Sequence, residues 1–353
     1  MSEPVAGEDD ASPQPPRSRP RRRTIVRLAV VTLVAVLGLA AAGLYFTSER
    51  LVRRIHRTPD VFAGLDESTR PPVTSALDVL LVGSDSLADA PTTGSEATGA
   101  ADVPGAQRSD AIMLVHIYPD YGRAAVISFP RDSWVDVPGH GKAKINASYS
   151  YGGPSLLVGT VEKLTGIRVD HFAVIDFAGL QALVDAVGGI DVTVEKTTTF
   201  GTLTLESGPN HLNGAAALGY VRQRKGLPAG DLDRVQRHQN AVRALLAKAT
   251  EGGVLTSPVR TFQLLDEFTR WVTVDDTLTN SDLRSLGWDL RNLQPGAMTF
   301  LTAPVAGLGR ENGQSVVYLD GENCGQLWRA TSENDVEGYV RAHPGTALGG
   351  STP

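Results

Sequence analysis

Between Gly219 and Asn240 the chain gathers residues that could bind an anion. Arg222 and Arg224 close one helical pattern, a Gly/Pro turn follows, and a second helix opens at Asp231 with Arg234, Arg237 and His238. The last three stand at i, i+3 and i+4 and therefore share a helix face. Leu232, Val235, Val242 and Leu246 fall on the adjoining face, which should be buried. Four arginines thus converge on a helix N-terminus, where unpaired N–H groups and the dipole favour anions. The guanidinium fork matches phosphate oxygens, so the pattern fits a phosphate or pyrophosphate site. It also fits a solvated basic helix laced with Asp–Arg pairs, and spacing leaves both readings open.

A second set of polar residues sits at strand ends. Asp85 follows the apolar run Leu77–Gly83, Arg108 and Asp110 precede the run Ala111–Tyr118, and Arg131 and Asp132 follow the run Arg123–Phe129. Polar residues collected on one rim of a sheet are where α/β proteins build sites. Asp85 and Asp110 together suit a hard cation such as Mg²⁺, which takes one or two carboxylates besides phosphate oxygens. Taken singly, each fits a turn cap or a strand start. Lys142, Lys144 and Asn146 follow in a Gly-rich loop. His171 at a strand start reads as structural, and Cys324 near Trp328 as a passive thiol. Trp271, Trp288, Leu286 and Leu290 read as core or helix-packing residues.

The elements that must position these groups alternate. Strand patterns at Leu77–Gly83, Ala111–Tyr118, Arg123–Phe129, His171–Phe177 and Ile190–Val194 are interleaved with helical patterns at Pro154–Leu164, Ala178–Val187 and Asn213–Arg222. That alternation predicts an α/β chain with a sheet covered by helices. The Ala/Thr/Gly/Pro-rich residues 87–106 read as a mobile insert. The net charge of −6 over 353 residues argues against a general nucleic-acid binder, and one cysteine excludes an intrachain disulfide. Residues 1–27 are a basic, structureless leader, and 28–47 hold a charge-free run, Leu28–Phe46, long enough to cross a bilayer. A cleaved signal peptide is the alternative. The larger basic cluster precedes the run, placing the N-terminus in the cytoplasm and the bulk of the chain outside. Residues 48–76 read as a stalk, 77–340 as the folded domain and 341–353 as a loose tail.

With these residues assembled, the chain resembles the LytR-CpsA-Psr family. The likeness rests on Val79-Leu-Leu-Val-Gly-Ser-Asp-Ser86, Arg108-Ser-Asp-Ala-Ile-Met-Leu114, Ile127-Ser-Phe-Pro-Arg-Asp-Ser133, Lys144-Ile-Asn-Ala-Ser-Tyr149, Val187-Gly-Gly-Ile-Asp-Val192 and Gly219-Tyr-Val-Arg-Gln-Arg224 with Gly230-Asp-Leu-Asp-Arg-Val-Gln-Arg237, in order. The resemblance implies a layered α/β/α domain with a central mixed sheet, behind one transmembrane helix in the cell membrane. It implies a hydrophobic groove for a polyprenyl chain. It also implies a Mg²⁺-dependent phosphotransferase that moves a glycopolymer from its polyprenyl-pyrophosphate carrier to peptidoglycan through a phosphodiester bond. Carried over, Asp85 and Asp110 hold the metal. Arg108, Arg131, Arg222, Arg224 and Arg234 bind pyrophosphate, Asp231 orients the arginines, and Lys144, Arg237 and His238 stand beside them. The family pattern often has Arg where this chain has Leu87, and Gln where it has His238. The competing readings are a pyrophosphatase using the same site, a membrane-tethered transcriptional attenuator, and a non-catalytic binder of lipid-linked glycans.

Overall fold

The computed structural model describes residues 53–84, 109–201, 203–223, 227–251, 258–290, 293 and 295–353. The chain divides into two units, Met1–Glu49 and Arg50–Pro353, and the described residues belong to the second. The basic leader, the apolar run and the 87–106 insert lie outside the described residues.

A seven-stranded mixed sheet organises the domain. Its strands are β1 (His56–Thr58), β2 (Leu77–Ser84), β3 (Ser109–Ile117), β4 (Ala124–Phe129), β5 (His171–Asp176), β6 (Val272–Asp275) and β7 (Met298–Thr302). They lie in the order β1-β6-β5-β2-β3-β4-β7. β2–β3, β3–β4 and β5–β6 pair antiparallel, whereas β1–β6, β2–β5 and β4–β7 pair parallel.

Alternation along the strands sorts side chains onto two faces. Leu80, Val82, Ile112, Leu114, Ala125 and Ile127 face one layer. They pack against helices α1 (Ile145–Thr165), α7 (Gly321–Ser332) and α8 (Val336–Ala342), with Leu157, Val161, Leu327 and Val336 fully buried among them. Leu81, Met113, Val115 and Val126 face the other layer, against Val242 and Leu246 of α4 (Asp231–Glu251). α2 (Phe177–Ala186), α3 (Gly214–Arg222) and α4 share a second core with the ribbon Ile190–Val194/Gly208–Leu212. Each fully buried Leu or Val contributes about 1.5–3 kcal/mol. α5 (Pro258–Trp271) packs on α2, where Gly179 makes room for the Trp271 side chain, since a Cβ there would meet Trp271 Cβ at 2.9 Å. α6 (Asn280–Asp289) opens with a capping box between Thr279 and Asp282.

Four expectations need correction. The helix expected from Pro154 begins earlier, at Ile145, and is broken by Gly152 and Gly153, the latter at φ +63°. Glycine adopts that value without penalty, so the chain bends there before Pro154 restarts the helix. The stalk is not a spacer from residue 53 onward. β1 is an edge strand of the main sheet, and Arg70 donates to Glu162 in a buried pair at 2.7 Å. The tail is not loose. Leu348 N donates to Phe300 O, Thr352 exchanges backbone bonds with Thr193 and Glu195, and Tyr220 Oη bonds Thr352 Oγ1 at 2.6 Å. Trp288 is 67% exposed rather than a core residue. His171 and Cys324 are structural, as expected. His171 Nδ1 lies 3.2 Å from Asp275 Oδ2, and burial pushes the Cys324 thiol up to about 12.

Candidate functional site

Antiparallel pairing decides which strand ends meet. β3 starts where β4 ends, with Ile112 opposite Phe129, and β2 ends opposite the start of β3, with Ser84 opposite Ser109. Asp110, Arg131 and Asp132 therefore gather on one rim. The first turn of α4 reaches the same rim and brings Asp231 and Arg234.

Two carboxylates and two guanidiniums alternate there. Arg131 Nη1 donates to Asp110 Oδ1, and Arg131 Nε stands 3.3 Å from Asp231 Oδ1. Arg234 Nη2 donates to Asp231 Oδ1 and lies 4.0 Å from Asp110 Oδ1. Arg234 and Asp110 side chains are each 4% exposed. Burial works against the Arg131 charge, but Asp231, Asp110 and Asp132 outweigh it and hold its pKa above the usual value. Burial raises the Asp231 carboxyl, against the pull of Arg234 and Arg131. The aspartates fix the orientation of the arginine forks, as buried partners of a binding group should.

Three further oxygens at this rim lack a partner among the described residues: Asp231 Oδ2 and the buried hydroxyls of Ser84 and Ser109. Buried polar atoms are ordinarily satisfied, so an orphaned set marks a place for water, an ion or a ligand. Asp110 and the two serines stand at adjoining strand ends and carry only oxygen donors, the kind of group a hard cation such as Mg²⁺ takes. Among the described residues no group of three or more His, Cys, Asp or Glu could hold a metal. A cation here would therefore take its further ligands from elsewhere.

The other residues singled out in the sequence divide. Asp85, Arg108 and Arg224 lie outside the described residues, as covalent neighbours of Ser84, Ser109 and Gln223. Arg222 is exposed at the end of α3, its guanidinium 4.4 Å from the centre of the Phe177 ring. Lys144 Nζ bonds Asp132 Oδ1 at 2.9 Å, one residue away from the Arg131 pair. Arg237 is not brought to the rim. It is fully buried over the Tyr220 ring, donates to Gln223 Oε1, and donates from Nη2 to Pro353 O at 2.6 Å. His238 lies near the rim but is turned to α3, with Nε2 3.0 Å from the Val221 carbonyl oxygen. A carbonyl only accepts, so Nε2 carries the proton. Burial first, and Arg234 second, lower the His238 pKa to about 4, which leaves the ring neutral. Helical spacing placed Arg237 and His238 beside Arg234, but the packing of α3 and the tail claims both side chains.

Two openings adjoin the rim. A narrow apolar channel of about 60 Å³ runs between the sheet, α2 and α4, lined by Leu81, Met113, Phe177, Leu180, His238 and Val242. On the opposite face a polar cleft of about 510 Å³ is bounded by Arg131, Asp132, Trp134, Lys144, Tyr151 and Gln314. Sequence reasoning missed the cleft because its walls come from three separate segments, 131–134, 142–151 and 312–314. It also missed Ser84 and Ser109, although a serine precedes each of the two candidate metal-binding aspartates.

The LytR_cpsA_psr family model matches residues 56–333. The chain belongs to the LytR-CpsA-Psr family. Its family relatives include the probable cell wall biosynthesis protein LcpB of Corynebacterium glutamicum, 37% identical over 75% of this chain. A second is the polyisoprenyl-teichoic acid–peptidoglycan teichoic acid transferase TagU of Bacillus mycoides, 34% identical over 42% of this chain. The matched segments span 64% of LcpB and 50% of TagU. Among solved structures, TagT bound to LIIa-WTA shares the fold with a TM-score of 0.59 and 23% identity, over 77% of this chain and 98% of that one, and the LytR-Csp2A-Psr enzyme from Actinomyces oris with a TM-score of 0.60 and 23% identity, over 79% of this chain and 96% of that one. The α/β domain with its central mixed sheet is thus the fold of that family.

Proposed function

We propose that this chain is a phosphotransferase that moves a glycopolymer from a polyprenyl-pyrophosphate carrier onto a peptidoglycan hydroxyl, at the outer face of the membrane. The observation that carries this reading is an apolar channel whose lining residues Gly83, Ala111 and Val221 are chain neighbours of Ser84, Asp110 and Arg222, beside the rim where Arg131 and Arg234 meet Asp110 and Asp231. A donor with a hydrocarbon tail and a diphosphate head has that same division. The names of LcpB and TagU, cell wall biosynthesis and teichoic acid transfer to peptidoglycan, support the direction of the chemistry.

Phosphoryl transfer asks a protein mainly for positioning and charge stabilisation. Arg131, Arg234 and Arg222 would clamp the diphosphate through charge-assisted bonds, with Asp231 keeping the first two in place. Phe177 and Leu180 would hold the first isoprene units, and Arg222 over Phe177 would join tail site to head site. Asp110 would hold Mg²⁺ with Asp85, and the ion would supply charge neutralisation on the leaving phosphate. The acceptor oxygen bonds the glycan-proximal phosphorus as the bond to polyprenyl phosphate breaks.

The test is incubation of the full chain in detergent with a polyprenyl-pyrophosphate-linked glycan, with and without peptidoglycan, across Mg²⁺ and chelator. Glycan should become wall-linked only when peptidoglycan and Mg²⁺ are present. Release of free glycan phosphate at an equal rate without acceptor would favour a pyrophosphatase. Binding of the donor without turnover would leave a non-catalytic lipid-glycan binder.

A further inference from the structure

The polar cleft is a built cavity that the donor-site reading leaves without a role. Its floor is the two-stranded ribbon Trp134–Val137/Gly141–Lys144 and the first, kinked turns of α1. The Gly152/Gly153 break ends that segment, leaving Tyr151 53% exposed on the cleft wall. The Tyr151 ring is stacked 4.9 Å from that of His140. The far wall is the tip of the ribbon Val305–Glu311/Gln314–Leu319. There Asn312 and Gly313 take φ of +50° and +77°, a tight Asn-Gly hairpin turn that fixes the positions of Asn312 and Gln314.

We propose that this cleft binds the acceptor saccharide, and that Asp132 takes the proton of its attacking hydroxyl. The proposal rests on the transferase reading above. Three features point to it. The cleft offers aromatic faces, Trp134 and Tyr151, among amide side chains, Asn146, Asn312 and Gln314, which is the lining that holds a sugar ring and its N-acetyl and hydroxyl groups. Its charged lining is Arg131, Lys142 and Lys144 against the single carboxylate Asp132, which favours an acceptor that bears carboxylates. Its position also suits in-line displacement. The channel lies on the face of the sheet that carries Leu81 and Met113, whereas the cleft lies on the face that carries α1. Arg131 stands at the rim between them. A leaving group held in the channel therefore departs on one side, and the attacking oxygen enters from the other.

The step balances without a co-reactant. The acceptor O–H loses its proton to Asp132, its oxygen forms the new P–O bond, and the P–O bond to polyprenyl phosphate breaks with the electron pair leaving on that phosphate. Asp132 is held in place by Lys144 at 2.9 Å and lies on the cleft wall next to Arg131.

The experiment uses the full chain in detergent and a soluble N-acetylglucosamine–N-acetylmuramic acid tetrasaccharide carrying its peptides. Calorimetric titration and steady-state transfer are measured for the wild type, Tyr151→Ala, Gln314→Ala and Asp132→Asn, with circular dichroism confirming folding. Tyr151 and Gln314 are exposed, so their truncation leaves the core untouched. Expected for both is an acceptor KM raised about tenfold, equally weakened tetrasaccharide binding, and a donor KM within twofold of wild type. Asp132→Asn should keep tetrasaccharide binding and lose about 100-fold in transfer kcat, the usual range for a general base. Tetrasaccharide binding that needs Tyr151, in a protein that consumes no donor, would support the cleft assignment and sink the transferase reading. Undetectable tetrasaccharide binding, or acceptor KM unchanged in both wall variants, would overturn the cleft assignment. A donor KM that rises with the acceptor KM would assign the cleft to the donor glycan instead. Unchanged kcat in Asp132→Asn would remove the proton-acceptor role.

Discussion

At the scale of single residues, arginines with the same sequence signal have different physical situations. Arg222 is exposed at the end of α3, so Arg222→Ala should leave the fold intact and lower turnover by about 1.5–3 kcal/mol, the value of a charge-assisted contact. Arg234 is buried between Asp231 and Asp110. Its removal leaves Asp110 and Asp231 to share Arg131 alone, so Arg234→Ala should cost about 1–3 kcal/mol of stability as well as activity. Denaturant titration beside turnover separates the two; equal stability losses would mean the Asp231–Arg234 pair is not held as described. His238 gives a pH prediction. Its folded pKa of about 4 lies below the ordinary 6.5, so in that window the unfolded chain takes up a proton that the folded chain refuses. The stability from the neutral ring is complete above pH 6.5 and is lost as pH falls toward 4, about 3 kcal/mol in all. His238→Gln, which can still donate to the Val221 carbonyl, should flatten the dependence of urea midpoint on pH between 7 and 4.5. Parallel curves for wild type and variant would show that another group carries the acid sensitivity.

At the scale of elements, most strands and helices were legible because their signals are local. β2 and β3 are apolar runs bounded by polar residues, and the second-layer helices α2 and α3 end close to where their periodicity ends. What was not legible depends on partners far along the chain. β1 is three residues, His56–Thr58, without apolar alternation, and becomes a strand only because β6 offers an edge. Arg237 and His238 carry the signal of a basic helix face, and only the approach of α3 and of Pro353 turns them inward. The channel between α2 and α4 has the same origin. At about 60 Å³ it is well below the ~300 Å³ of ordinary ligand pockets, so a polyprenyl chain must part these helices to enter. Ala241 lines it and is 1% exposed. Ala241→Leu should fill the space and weaken binding of a long-chain donor at least tenfold, while a short-chain soluble analogue binds as before. Overpacking limits the stability change to about 1–3 kcal/mol. Equal losses for both donors would assign the effect to the diphosphate site and leave the channel without a lipid role.

At the scale of the whole molecule, the boundary between anchor and domain is the testable feature. Among the described residues no helix is long and apolar enough to cross a membrane. We propose that the run Leu28–Phe46 attaches the chain to the membrane, a placement in which the basic leader ahead of it would keep the N-terminus in the cytoplasm. The domain begins well before the first long strand. Ile55 is buried with Val272 and Val274, β1 covers the edge of β6, and Arg70 pairs with Glu162, the two side chains 6% and 4% exposed. Two truncations therefore behave differently. Removing residues 1–47 should release the protein from the membrane fraction with its melting temperature unchanged, because every described contact survives. Removing residues 1–76 should also uncover an edge strand and leave Glu162 charged and buried without Arg70. Loss of that partner alone costs about 3–5 kcal/mol, which lowers the Tm of a domain this size by roughly 6–20 °C. Fractionation and thermal melts of the two proteins decide both points. A 1–47 deletion that still sediments with membranes would remove the anchor from Leu28–Phe46. Equal melting temperatures for the two deletions would return residues 53–76 to a stalk.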